Sequence, residues 1–188
     1  MRAGAGSLVV FLGLVISGQA SAEWKEYVYR DLGIAKEFPA EPKRETGEYK
    51  TEVIGKEGVP AVILTAEDDN VVFRMTVADL QKPEFIARSA SIASECIFLA
   101  EEDGNTLANM TNRVEGGINA VYGRLTSVEL FENKGRKQTT CLFTKGKMYV
   151  ISAHVLPAHG EPNSSQAIRF TNSMRFNIDQ AYGEGAGN

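Results

Sequence analysis

The sequence predicts an α+β protein, with an antiparallel β-sheet of about six to eight strands and two helices packed against it. Three observations indicate this class. Residues 71–80 alternate between two faces with a period of two, as strands do. Residues 83–102 change to a helical period. Short glycine turns such as Lys145-Gly146 join successive strands, which favours hairpins in a layered domain over alternating βαβ units.

The first predicted hairpin pairs "WKEYVYR" (24–30) with "IAKEF" (34–38). Asp31-Leu32-Gly33 forms its turn, because glycine adopts positive φ without steric cost. Pro39 ends the second strand, since proline has no N–H to donate to a ladder.

The other strands are predicted from β-branched and aromatic runs that turn residues interrupt. They lie at 48–55, 59–66, 71–80, 106–115, 118–132, 137–144 and 147–155. Lys56-Glu57-Gly58 and Glu67-Asp68-Asp69-Asn70 are predicted to form the turns between the early strands.

Two helices are predicted. The first begins at Pro83, a residue that suits a helix start, and ends at Glu102, just before Gly104. The second covers 161–176. Its apolar side consists of Ala167, Ile168, Phe170 and Met174.

The first 22 residues predict a secretory signal peptide. Arg2 precedes an apolar run from Leu8 to Ile16, and Ala20-Ser21-Ala22 offers small residues for cleavage between Ala22 and Glu23. The run is too short for a membrane span, which needs about 20 apolar residues. The protein is therefore expected to be periplasmic or secreted, with no membrane span. The predicted organisation is a signal peptide at 1–22, a single α+β sandwich domain at 23–178 and a disordered tail at 179–188.

Cys96 and Cys141 are the two cysteines. An even number of cysteines in an exported chain permits one disulfide. Cys96 falls on the apolar side of the first helix and Cys141 shares a strand face with Phe143, so a helix packed on the sheet could bring the sulfurs together. Two buried free thiols are the alternative.

Three segments resemble the PsbP-like domains, part of an α/β sandwich superfamily that also includes the Ran-binding Mog proteins. Asp31-Leu32-Gly33-Ile34 with Phe38-Pro39 is similar to the entry hairpin, 149–153 to the penultimate strand and 170–176 to the closing segment. The resemblance implies the sandwich fold and an exported bacterial protein. It implies no particular activity, because members of this superfamily share no catalytic residue and a fold does not define a function.

Composition and motifs exclude several function classes. The net charge of −4 and the lack of a clustered Lys/Arg run argue against nucleic-acid binding. The sequence contains no G-x-S-x-G elbow, no S-x-x-K pair and no glycine loop with phosphate-binding spacing. The acidic clusters at 67–70 and 101–105 lack calcium-loop spacing and are interpreted as turns. No catalytic residue, cofactor site or metal site is predicted.

The two histidines, His154 and His159, support weaker alternatives. With Glu161 they could bind a metal ion, although they lack HExxH or HxH spacing. A pair of His154 with Cys96 or Cys141 could form a nucleophile, but apolar positions and an oxidising compartment disfavour a reactive thiolate.

The predicted function is that of an exported, non-enzymatic binding or accessory module of the cell envelope. It would act through contact with another envelope protein or with a small ligand. Two alternatives remain open at this point: a metal- or thiol-dependent hydrolase that uses His154 and His159, and a small-molecule carrier that uses the cleft between helix 83–102 and the sheet.

Cleavage of the predicted signal peptide gives the first testable outcome. Protein recovered from the periplasm of an exporting host is expected to begin at Glu23, because Ala20 and Ala22 satisfy the small-x-small cleavage pattern. Intact-mass analysis checks this, and an Ala20→Phe variant is expected to keep its leader. A mature chain that retains residues 1–22 would contradict the prediction.

Overall fold

A computed structural model describes residues 23–51, 55–68, 70–86, 95–102, 110–116, 122–130, 135–157, 164–176 and 178. The strands within these residues are β1 (Lys25–Tyr29), β2 (Ile34–Phe38), β3 (Lys43–Thr51), β4 (Gly55–Asp68), β5 (Val71–Asp79), β6 (Met110–Gly116), β7 (Tyr122–Leu130), β8 (Gly135–Thr144), β9 (Lys147–Val155) and β10 (Arg175–Phe176). The helices are α1 (Pro83–Ile86), α2 (Glu95–Glu102) and α3 (Ser165–Asn172).

Two antiparallel sheets form the structure. The larger has seven strands in the order β3-β4-β5-β9-β8-β7-β6, and the smaller has three in the order β1-β2-β10. The predicted α+β class and antiparallel sheet are therefore confirmed. In the larger sheet, β5 pairs with β9, and this pairing joins the hairpins that precede α1 to those that follow α2.

Local turn chemistry explains two of the hairpins. Gly33 (φ 75°) lies in the turn between β1 and β2, as predicted. Lys145 (φ 49°) and Gly146 (φ 71°) connect β8 to β9 as a two-residue turn with both residues in the left-handed region. This is the backbone that suits the twist of a tight hairpin.

One predicted turn is wrong, and the turn before β5 is shorter than predicted, although Asn70 remains in it. Lys56-Glu57-Gly58 belongs to β4, which also runs through Glu67 and Asp68. Glu67 and Asp68 are held extended by their pairing with β5, so tertiary pairing overrides their turn propensity. Lys56-Glu57-Gly58 lies where the pairing of β4 with β3 is irregular, between the Val59–Tyr49 and Gly55–Thr51 pairs. Strand β3 likewise begins earlier than predicted, at Lys43.

The predicted helices are corrected at their ends. Residues 87–94, in the middle of the first predicted helix, lie outside the described residues. The second helix ends at Asn172, where Ser173 caps it by donating its N–H to the carbonyl of Phe170. The chain then forms β10, which pairs with β2, and Ile168 is 49% exposed rather than part of the buried side.

The larger core fills the space between the two sheets. We call this side of the larger sheet the small-sheet face; it carries Phe73, Met75, Tyr149 and Ile151. Phe170 of α3 lies at its centre, with ring centroids 5.1 Å from both Phe38 and Phe73 in edge-to-face contacts.

The opposite side of the larger sheet is the disulfide face, which carries Cys141, Met148 and Val150. Helix α2 lies against it and contacts β7 and β8. Cys96 of α2 is bonded to Cys141 of β8, and both residues are fully buried. Of the two states left open by the sequence, the structure therefore has the disulfide.

A buried lysine joins the small sheet to α3. Lys36 is fully buried, and its Nζ donates to the carbonyl of Phe170 and to Ser173 Oγ at 3.0 Å. The ammonium also lies 4.1 Å from the centroid of the Phe170 ring. It thus occupies the C-terminal end of α3, where the helix dipole favours a cation. Burial lowers the pKa of Lys36 from 10.5 to about 7, against the opposing effect of Glu37.

Lys36 is expected to make folding stability pH-dependent. Between about pH 7 and 10.5 the folded chain binds fewer protons at Lys36 than the unfolded chain does, so the free energy of unfolding rises with pH. Below about pH 7 the lysine is charged in both states, and the folded state bears the full free-energy cost of burying the ammonium. Lys36→Met should remove this slope and raise the free energy of unfolding most at low pH, where the wild type buries a charged ammonium. Urea unfolding over this pH range measures both effects. The exposed control Lys50→Met should keep the wild-type slope; an unchanged slope in Lys36→Met would refute this account.

The disulfide is expected to contribute about 4 kcal/mol, because it joins residues separated by 45 positions and constrains the unfolded chain. Cys96→Ser should therefore lower the melting temperature under oxidising conditions only. In reductant, wild type and variant should melt together. An equal difference with and without reductant would mean that Cys96 stabilises by packing alone.

Candidate functional site

A groove of about 270 Å³ lies on the disulfide face beside α2. Its lining residues come from β3, β4, β5, β8, β9 and α2: Glu48, Tyr49, Ile63, Arg74, Thr76, Leu99, Lys137, Thr139, Val150, Ser152 and His154. The groove lies between the described part of the first predicted helix and the sheet, at the place where the sequence suggests a ligand cleft.

Strand register places the polar side chains side by side on its floor. Arg74 of β5 lies opposite Ser152 of β9, which lies opposite Thr139 of β8. One step along the same face, His154 of β9 lies opposite Lys137 of β8. Because side chains on one face recur every second residue, these five project from the disulfide face as two adjacent rows.

The floor is polar although the sheet is largely covered. Thr139 is 2% exposed and Thr76 is 6% exposed, whereas Arg74 is well exposed. Two cationic side chains, Arg74 and Lys137, accompany the imidazole of His154 and the hydroxyl groups of serine and threonine residues. Among the described lining residues, Glu48 alone carries a carboxylate. The groove therefore presents hydrogen-bond donors and positive charge.

Helix α2 forms the apolar wall and is fixed at its beginning. Leu99 faces the groove, opposite Ile63 and Val150. The Cys96–Cys141 disulfide attaches α2 to β8. Beside it, Glu95 is 2% exposed and accepts a hydrogen bond at 2.9 Å from the hydroxyl of Tyr49. The helix is thus held to strands on both sides of the groove, so the wall is pre-formed.

A second cavity, of about 280 Å³, lies on the small-sheet face below the turn between β1 and β2. Lys147 Nζ donates to the carbonyl of Asp31 at 2.7 Å, and the Tyr149 hydroxyl donates to the carbonyl of Leu32 at 2.9 Å. Asp31 also forms an ion pair with Arg44, and hydrogen bonding to that guanidinium lowers the pKa of Asp31. These polar groups serve to hold the turn, so this cavity is the weaker candidate for a ligand site.

The predicted histidine site is only partly described. His154 lies on the face of Met148 and Val150, as the alternation in β9 indicates. His159 and Glu161 lie outside the described residues, and so does Ala22; Glu23 is the first residue described. Within the described ranges, no group of three His, Cys, Asp or Glu side chains could hold a metal ion.

The sequence prediction missed the two cations. Arg74 and Lys137 do not stand in any motif, and strands far apart in the chain bring them together. One signal was present, because two strands place polar residues on a face that also carries apolar residues. In β5 these are Arg74 and Thr76, and in β9 they are Ser152 and His154. Polar residues in two central strands indicate a face that is open to a ligand or solvent.

No helix in the described ranges is both long and apolar enough to cross a membrane.

No protein-family model, curated protein or solved structure matches this chain.

Proposed function

We propose that this protein is an exported, non-enzymatic binding module of the cell envelope, with a PsbP-like sandwich as its fold. The groove on the disulfide face is its ligand site, and the ligand is a small organic anion. The observation that carries the proposal is the convergence of Arg74, Lys137 and His154 on one floor beside an apolar wall.

Charge and shape support an anion with an apolar part. Guanidinium and ammonium groups bind carboxylate or sulfonate oxygens through charge-assisted hydrogen bonds, and Ser152 and Thr139 add hydroxyl groups next to them. Leu99 of α2 offers apolar contact from the helix, and Ile63 and Val150 offer it from the sheet. A volume of about 270 Å³ lies just below the usual range of ligand pockets, which favours a small molecule over a folded partner.

The hydrolase alternatives have less support. Both sulfurs are bonded to each other, so neither provides a thiolate in this state. Lys137 and Arg74 near His154 disfavour a metal cation by charge repulsion, and carboxylates, which commonly complete such sites, are sparse on the groove floor. Binding through the groove therefore accounts for more of the described features than hydrolysis does.

The anionic fluorophore 8-anilinonaphthalene-1-sulfonate is a suitable probe, since it combines a sulfonate with an aromatic body. The folded protein is expected to enhance its fluorescence with a saturable, salt-sensitive isotherm. Arg74→Gln should weaken binding about tenfold, the effect of losing one charge-assisted hydrogen bond. Lys82→Gln removes an exposed cation outside the groove and should bind like wild type. Equal affinities for the two variants would reject the groove as the anion site.

A further inference from the structure

Strand β3 forms one edge of the larger sheet. Within the described part of the chain its only strand partner is β4, and residues 43–48 are solvent-exposed. An edge strand presents backbone N–H and C=O groups that a further strand can pair with. Its charged side chains are Lys43, Arg44, Glu45, Glu48 and Lys50. These charges disfavour an apolar partner strand and make charge complementarity the criterion for pairing.

The sequence of β3 is complementary to itself in one register. In an antiparallel pair, two residues that lie opposite each other form either a hydrogen-bonded or a non-hydrogen-bonded pair. When two identical strands are related by a two-fold axis, one residue must therefore lie opposite its own copy, and it is the centre of the pairing. Centred on Thr46, the pairing puts Arg44 opposite Glu48 on both sides of the axis. It also puts the two Thr46 side chains opposite each other. Both kinds of cross-strand pair are stabilising.

The neighbouring registers are unfavourable. A pairing centred on Lys43, Arg44, Glu45 or Glu48 puts that charge opposite its own copy. A pairing centred on Gly47 puts Arg44 opposite Lys50. A pairing centred on Tyr49 crosses the irregular pairing with β4 between Tyr49 and Thr51. Charge pattern and strand regularity thus favour the register centred on Thr46.

The surroundings of Arg44 are compatible with a second carboxylate. Its guanidinium forms an ion pair with Asp31 of the same chain, yet the side chain remains 41% exposed. Guanidinium carries five N–H donors, so it can bind Asp31 and a carboxylate from outside together. Thr46 and Gly47 also line the 280 Å³ cavity, so a strand added to β3 would lie along the outer side of that cavity.

We propose that two copies of this protein associate through their β3 edges, paired antiparallel about Thr46. The product is a two-fold symmetric dimer in which the two larger sheets form one continuous sheet. Arg44 of each copy pairs with Glu48 of the other. A single strand edge buries little surface compared with obligate dimers, so the association is weak and reversible.

Sedimentation equilibrium across a wide concentration range tests the proposal through charge exchange. Wild type is expected to dimerise at high concentration. Arg44→Glu and Glu48→Arg should each reduce the association constant at least severalfold, since each places like charges opposite one another. An equimolar mixture of the two variants should regain wild-type association, because the introduced carboxylate of one chain then faces the introduced guanidinium of the other.

Two controls separate the edge from other effects. Glu84→Arg makes the same charge change on an exposed residue of α1 and should dimerise like wild type. Asp31→Asn removes the partner of Arg44 within the chain, and this variant should also dimerise. A wild type that stays monomeric throughout would overturn the proposal, as would a mixture that fails to regain association while both variants keep wild-type circular dichroism.

Discussion

The pairing of β5 with β9 is the constraint on which the rest of the structure depends. It converts two groups of hairpins into one sheet, and it does so with an unbroken register from Val71–Val155 to Asp79–Lys147. The same register sets both faces. It aligns Phe73 with Ala153 under Phe170 on the small-sheet face, and it aligns Arg74 with Ser152 on the disulfide face. The register of one strand pair therefore positions residues of both the core and the groove.

The covering layers of the two faces are attached by different chemistry. On the disulfide face, the Cys96–Cys141 bond holds α2 covalently. On the small-sheet face, Lys36 connects β2 to the end of α3 by hydrogen bonds and a cation–π contact. The first attachment leaves room for a polar groove beside the helix. The second closes a core in which Lys36 has the largest fully buried polar side chain among the residues that the structure describes.

Local features of the sequence predicted the local features of the fold. Alternation predicted β5, a β-branched and aromatic run predicted β9, and Gly33 and Gly146 predicted their turns, because those signals depend on a few neighbouring residues. Predictions were wrong where the conformation of a segment depends on the strands that lie beside it in the fold. Lys56-Glu57-Gly58 has turn composition but extends β4, and the segment after Asn172 leaves the helix to pair with β2. Burial of Lys36 also depends on α3, which lies far along the chain.

The candidate site was less predictable than the fold, for the same reason. His154 could be assigned to a strand face, and the cleft beside the first helix could be anticipated. The neighbours Arg74 and Lys137 could not, because only the order of strands in the sheet brings them beside His154. A cationic groove assembled from separate hairpins leaves no spaced motif in the sequence.

The order of strands also has a kinetic consequence. Strand β5 obtains its second partner only after β6, β7, β8 and β9 have been made, since β9 is the last strand of the larger sheet along the chain. Such high contact order slows folding, because the chain loses the entropy of closing a long loop before the contacts between β5 and β9 stabilise it. Until then a β3–β5 meander has an unprotected inner edge at β5, with Val71, Phe73 and Met75 on one side. The nascent chain thus passes through an interval in which its central strand, not its charged outer edge, is the surface most prone to mispairing.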